Sequence, residues 1–368
     1  MKLRIILCSA YLFLAFVAFK YVNEKLGLPT ARGGFARWAQ WKTVEAQSLD
    51  NALTLAENVP AKAEFSKRCS RPEVVRCFGF DNQAQTDPYI YPPSWQKVKR
   101  ARVVQDIRAS GNGSLRFEVP SGSGANTSGS FWLNFSDNFK IQFGENSEFY
   151  VQWVQRFSQE FLGTTYRNGV GWKQAIIGTG DQPGKHYSSC TDLEVVVQNT
   201  YQRGFAQLYN SCSGSTSHRG YDPFQQNYAA GDFKLQNARQ SPYCLYSQAA
   251  SQTYFPPNGN CFGYVANEWL TFQMHFKLGP RVGDEFVNSY VTMWIGREGQ
   301  PSEEVFNWGP YNLSAGSRMA DQKFGKIWFL PYHTGKDFSQ IHPTGYVWYD
   351  ELVISRKKIQ DPELNPAR

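Results

Sequence analysis

Between residues 114 and 355, apolar and polar side chains alternate in short runs broken by clusters of Gly, Asn, Asp and Pro. The clearest runs are SLRFEVP (114–120), EFYVQWVQRFS (148–158), GWKQAIIG (171–178), DLEVVVQN (192–199), GFAQLYNS (204–211), EWLTFQMHFKL (268–278), SYVTMWIG (289–296), GKIWFLPY (325–332) and GYVWYDELVIS (345–355). Successive side chains of a strand point to opposite faces, so a period of two gives each run one apolar and one polar side. In 268–278, Leu270, Phe272, Met274 and Phe276 share one face, while Trp269, Thr271, Gln273, His275 and Lys277 share the other. In 148–158, Phe149, Val151 and Trp153 oppose Tyr150, Gln152, Val154 and Arg156. In 192–199, Leu193, Val195 and Val197 oppose Glu194, Val196 and Gln198. Each strand buries one side and presents amides, cations and aromatics on the other. The pattern predicts an all-β protein built as an antiparallel β-sandwich, its sheets packed face to face.

The chain begins MKLRIILCSAYLFLAFVAFK, with Lys2 and Arg4 ahead of an apolar run from Ile5 to Phe19. This is the pattern of a signal peptide or short signal anchor; a full membrane span needs about 20 apolar residues. It predicts export to the periplasm, cell surface or medium, with any membrane contact confined to this segment. Residues 34–58 lack Pro and carry apolar residues at helical spacing, so they read as a helix that Pro60 ends. The predicted organisation is a targeting segment (1–22), a helical linker (23–65), the sandwich domain (66–360) and a tail (361–368). Segment 213–262 is polar and rich in Gly, Ser, Asn and Gln, and reads as a long excursion of the kind that is functional or disordered.

Beyond Cys8 in the targeting segment, six cysteines remain: Cys69, Cys77, Cys190, Cys212, Cys244 and Cys261. An even number in an exported chain predicts disulfides, and pairing of nearest neighbours gives 69–77, 190–212 and 244–261. No C-x-x-C spacing supports a zinc site. The formal charge of +7 is dispersed, and no Lys/Arg run is dense enough for a nucleic-acid arm. With 11 Trp and 20 Tyr, this balance suits an acidic polysaccharide as partner, bound by a monomer. Sugar rings stack on aromatics, and their hydroxyls pair with Gln, Asn and Arg.

GSLRFEVPSGSGANTSGSFW (113–132), FYVQWVQRFS (149–158) and the last strand GYVWYDELVIS resemble the concanavalin A-like jelly-roll superfamily over roughly residues 75–360. The likeness is greatest to its secreted polysaccharide lyases, of the alginate, glucuronan and heparin lyase type. The resemblance implies a jelly roll and polysaccharide chemistry, with no cofactor required. It also implies a structural Ca²⁺ between an early-strand and a last-strand acid, here Asp81 and Asp350. Retaining glucanases of this fold carry E-x-D-x-x-E, which is absent. Asp350 and Glu351 are adjacent and so are expected on opposite faces of a strand, unable to act together as that pair. Of the alginate-lyase strings, R-x-E-L-R and Y-F-K-A-G are absent. Q-I-H occurs at 340–342, but ahead of the last strand and followed by Pro343, where the family has it in mid-sheet.

A lyase cleaves a uronate polymer by removing the C5 proton and expelling the 4-O group. It needs a neutraliser for the carboxylate, a base and an acid. The polar faces offer Arg156 and Gln198 as neutralisers, His275 or Tyr209 as base, and Tyr332 as acid. Gln152, Lys173, Glu194, Gln273, Trp294 and His333 would contact substrate. The same face would serve a non-catalytic carbohydrate-binding module, which needs no base, and a glycoside hydrolase is a third reading.

Overall fold

The computed structural model describes residues 60–91, 101–126, 128–168, 171–188, 191, 193–200, 206–210, 262–283, 285–314, 322–333 and 335–363. The targeting run, the linker up to residue 59, nearly all of the 213–262 excursion, Cys190, Cys212, Cys244 and Cys261 lie outside these residues. The strands are β1 (Val74–Phe78), β2 (Ile90–Tyr91), β3 (Arg102–Val104), β4 (Ser114–Val119), β5 (Ser130–Asn134), β6 (Glu148–Phe157), β7 (Gly171–Thr179), β8 (Glu194–Thr200), β9 (Ala206–Asn210), β10 (Trp269–Lys277), β11 (Arg281–Val282), β12 (Glu285–Gly296), β13 (Glu303–Ser314), β14 (Phe324–His333) and β15 (Gly345–Ser355). They form two antiparallel sheets. The nine-stranded sheet runs β11-β12-β10-β6-β15-β4-β3, with β1 added to β15 and β13 to β12; the six-stranded sheet runs β2-β5-β14-β7-β8-β9.

Every alternating run named above is a strand. β13 escaped the reading because Gly309–Pro310 interrupts its pattern; among the described residues it pairs only with β12, and an edge strand tolerates Pro. The apolar faces meet as expected. Phe149, Val151, Trp153, Leu270, Phe272, Met274 and Phe276 of one sheet pack with Phe131, Leu133, Ile177, Val195 and Val197 of the other. A chain of amides crosses this core. Asn199 donates to Gln174 (2.9 Å), Gln174 to Gln155 (2.6 Å), and Trp153 also donates to Gln155 (3.1 Å), which links these buried groups while Gln155 Nε2 and Asn199 Oδ1 stay without a partner among the described residues.

The closing strand β15 departs from regular alternation. Glu351 has φ +50°, and the register against β6 shifts between Asp350 and Val353. This bulge overturns the expectation that the two acids face opposite ways. Asp350 pairs with Val154, which belongs to the apolar cluster on the outer side of the nine-stranded sheet. Glu351 is on the same side, because it accepts from Arg68, whose Nη1 also donates to outward-facing Gln152 (2.8 Å). Arg68 ends a helix over residues 60–69 and is only 2% exposed. Pro60 stands in the first described turn of that helix, and the helix expected over 34–58 lies outside the described residues. Cys69 and Cys77 form the expected disulfide between this helix and β1.

Removing one partner of a buried ion pair leaves an uncompensated charge and costs about 3–5 kcal/mol. Arg68→Ala is therefore expected to lower the unfolding free energy by that amount, read as a lower urea midpoint at unchanged m-value. Arg68→Met/Glu351→Gln should recover most of the loss; a double variant no better than the single would refute the pairing.

His333, expected to touch substrate, instead lies inward among Phe161, Tyr166 and Trp172. Burial, helped by the Lys336 ammonium, pushes its imidazole down to about 3. An unfolded His titrates near 6.5. Below that pH the unfolded chain takes up a proton that the folded one refuses until about pH 3, so this residue makes stability fall with falling pH across the window. His333→Phe should flatten that acid slope by up to about 1.4 kcal/mol per pH unit. An unchanged slope would contradict the assignment.

Candidate active site

The outer face of the six-stranded sheet gathers four predicted residues into one patch. Lys173 on β7 lies between Tyr332 on β14 and Gln198 on β8 in the strand register. Gln198 and Glu194 flank Val196 at two-residue spacing, so all three share a face, and Val196 belongs to the outer apolar cluster with Ile176, Trp328 and Leu330. Tyr332 packs against that cluster, and the Lys173 ammonium lies 5.3 Å from the centre of its ring. Tyr209 is opposite Val196 in the β8–β9 register.

Two bulges converge on this point. The β14–β7 register shifts between Phe329 and Tyr332, and the β7–β8 register between Lys173 and Ala175. Bulges re-aim side chains, and they recur beside active sites. Here they leave Trp172 and Gln174 in the core while Lys173 stands half-buried on the outer face. β7 is an interior strand of its sheet, so the Lys that interrupts its apolar run does not sit at a sheet edge. Burial lowers the Lys173 pKa, and the charge of Glu194 recovers only part of the shift. A lysine of this kind holds a neutral amine at lower pH than an exposed one.

A second cluster on the same face was missed. Lys326 Nζ is bound to Asp181 and donates to the Tyr187 carbonyl (2.8 Å), and it lies 4.8 Å and 5.0 Å from the rings of Trp132 and Trp328. Asp181 also accepts from Asn134 (2.9 Å) and from the Tyr187 amide (2.8 Å). These partners hold its carboxyl below the usual range against the opposing effect of burial. The signal was present in GKIWFLPY, where Lys326, Trp328, Leu330 and Tyr332 alternate onto one face.

The other predicted residues do not join this patch. Arg156, Gln152, Gln273, His275 and Trp294 lie on the outer face of the opposite sheet, where β6, β10 and β12 align. Packed sheets are about 10 Å apart and their outer faces point away from each other, so His275 and Arg156 cannot meet Tyr332 or Gln198 on one sugar. Their neighbours there are structural. Gln273 clasps Ile359 through both its amide N–H (3.0 Å) and its carbonyl (2.8 Å). Gln152 accepts from Arg68 and donates to the Gln360 carbonyl (3.2 Å). His275 stacks on Tyr150 at 4.2 Å and contacts Glu148 at 3.2 Å. Burial, the largest influence on it, lowers its pKa.

The acids suggested for Ca²⁺ are taken up by backbone. Asp350 accepts from the amides of Ala109 (3.0 Å), Ser110 (3.3 Å) and Glu351 (2.8 Å), and Asp81 accepts from Asn112 in the same loop. Gly111 closes that loop at φ +64°, where an added Cβ would sit 2.0 Å from Asp81 Oδ1. Burial, reinforced by Glu351, raises the Asp350 pKa well above the carboxylate range, which makes it a poor cation ligand. Among the described residues, no three His, Cys, Asp or Glu side chains are grouped to hold a metal. Asp81 and Asp350 do not fit a Ca²⁺ site.

No family model matches the chain. No curated protein matches it either. Among solved structures it resembles polysaccharide lyases of the jelly-roll fold. The PL-14 alginate lyase of Aplysia kurodai aligns over 76% of this chain and 98% of its own, at 11% identity and TM-score 0.46. The endo-β-1,4-glucuronan lyase of Trichoderma reesei aligns over 74% and 95%, at 14% identity and TM-score 0.42. The alginate lyase vAL-1 from Chlorella virus aligns over 77% and 100%, at 10% identity and TM-score 0.42.

Proposed function

We propose that this protein is an exported polysaccharide lyase that cleaves a uronate-containing polymer by β-elimination on the outer face of its six-stranded sheet. The observation that carries this reading is the Lys173–Tyr332–Gln198 row, in which an amine half-buried on the outer face, its pKa lowered by that burial, stands beside a phenol and an amide. Elimination requires those three parts at one sugar. Lys173 takes the C5 proton, the Gln198 amide donates to the substrate carboxylate as negative charge builds on it, and Tyr332 donates its proton to the departing O4. The C5–H electrons form the C4–C5 double bond as the C4–O4 bond breaks. Lys173 thus replaces His275 and Tyr209 as base. A non-catalytic binding module would need no amine with a lowered pKa on this face.

Incubating the protein with alginate, glucuronan, pectate, hyaluronan and heparin separates these readings, because elimination leaves an absorbing unsaturated uronate and hydrolysis does not. Absorbance should rise on at least one polymer. Tyr332→Phe should slow that rise by about 10²–10⁴-fold with little change in KM. The Lys173 amine must be neutral to act, so kcat should climb with pH through a limb lying below the ordinary lysine value of about 10.4. Absence of absorbance on every polymer would overturn the lyase; a pH limb at the ordinary lysine value would overturn the role of burial.

A further inference from the structure

The outer face of the nine-stranded sheet carries cations that the elimination site does not use. Where β15 ends, Arg356, Lys357 and Lys358 follow in succession, and all three are exposed. Their backbone is pinned at both ends. The Arg356 amide donates to the Glu73 carbonyl (2.9 Å), Lys357 to Ser355 Oγ (3.1 Å), and the next residue, Ile359, is clasped by Gln273. The Lys358 ammonium lies 4.3 Å from the centre of the Trp294 ring. Beside this strip stand the stacked rings of Tyr150 and His275, and exposed Lys277 follows His275 by two positions on the same face. Glu148 and Glu304 are the acids next to the strip by register, opposite Lys277 and Trp294, and Glu148 is occupied by His275. Asp350, Glu351 and Glu118, on the same sheet face, are engaged by backbone amides, Arg68 and Arg116 respectively.

We infer that this strip, Arg356 to Lys358 with Lys277, Trp294 and the Tyr150–His275 pair, is a second binding surface for an acidic polysaccharide, on the face opposite the elimination site. Exposed lysines ordinarily form a solvated surface. These differ because their backbone is fixed, so little ordering is needed when a ligand binds. The charge density also selects a partner. Duplex nucleic acid carries one charge per about 1.7 Å, and its binders gather about 6–10 phosphate contacts. A few cations interleaved with rings and two acids suit a sparser polyanion with one carboxylate per sugar. Ring edges and amines on a flat sheet face also match the hydroxyl-rich flank of a glycan chain. Such a surface would hold the polymer on the enzyme between cleavage events.

The inference rests on the lyase reading only for the identity of the polymer. The full-length Lys173→Met protein, which removes the proposed base, is run by affinity electrophoresis through gels containing alginate, pectate or neutral dextran. Retardation by a polyuronate and not by dextran is expected, weakening with added salt. Adding Lys277→Glu/Lys358→Glu should weaken it by about tenfold or more, equivalent to about 1.4 kcal/mol. Adding Lys140→Glu/Lys323→Glu, the same change in net charge at exposed positions elsewhere, should leave it close to the parent. Equal losses from the two pairs, or no retardation of the parent, would overturn the strip. So would retardation by duplex DNA that a polyuronate fails to compete. Because binding is read without turnover, the wild-type protein failing to cleave any polymer while the strip still binds would overturn the lyase and leave this inference standing.

Discussion

The pairing of Arg68 with Glu351 is the constraint on which the rest of the sandwich is arranged. β15 runs through the middle of the nine-stranded sheet, between β6 and β4, and it changes course at Glu351. A non-glycine residue held at φ +50° costs on the order of 1–3 kcal/mol and persists only where its surroundings enforce it. The enforcement is visible. Asp350 gathers three backbone amides on one side of the bulge, and the Arg68 guanidinium meets Glu351 on the other. Burial alone would lower the Arg68 pKa, but Glu351 and Glu64 outweigh it and the net shift is upward, so the cation stays charged where it is needed. The acid pair in the last strand is therefore architecture, neither a glycosidase couple nor a metal site.

This has a consequence for function. The helix over residues 60–69, the 109–112 loop and the 359–361 segment all lie against the outer side of the nine-stranded sheet and absorb its outward polar residues Gln152, Gln273, Asp350 and Glu351. The amides and acids that looked like a sugar-binding row bind the protein itself. On the six-stranded sheet, two bulges in neighbouring strands bring an amine, a phenol and an amide side by side. In one sheet a bulge serves to anchor a helix, and in the other the bulges build a candidate reaction centre.

The fold was legible because alternation is a direct consequence of strand geometry, and the faces read for β6, β8 and β10 are the ones observed. Short strands such as β2 and β11 have too few residues to show a period, and β13 hides its own behind Pro310. The site was half legible. Lys173, Gln198, Glu194 and Tyr332 could be read as polar-face residues, and they share a face. Period two says which residues line a face, but not which strands belong to one sheet. His275 and Arg156 were thus grouped with residues on the far side of the protein. Bulges were the second obstacle. Nothing in YDELV marks Glu351 for a positive φ.

The central claim is that proton abstraction takes place on the six-stranded sheet at Lys173 and not on the opposite face at His275. The most direct test compares Lys173→Met and His275→Ala side by side for release of unsaturated product from the polymer the wild type cleaves, with thermal midpoints confirming that both fold. The account predicts loss of turnover by about 10²–10⁴-fold in Lys173→Met and near wild-type kcat in His275→Ala. Full turnover in Lys173→Met with loss in His275→Ala would contradict it and place the chemistry on the nine-stranded sheet.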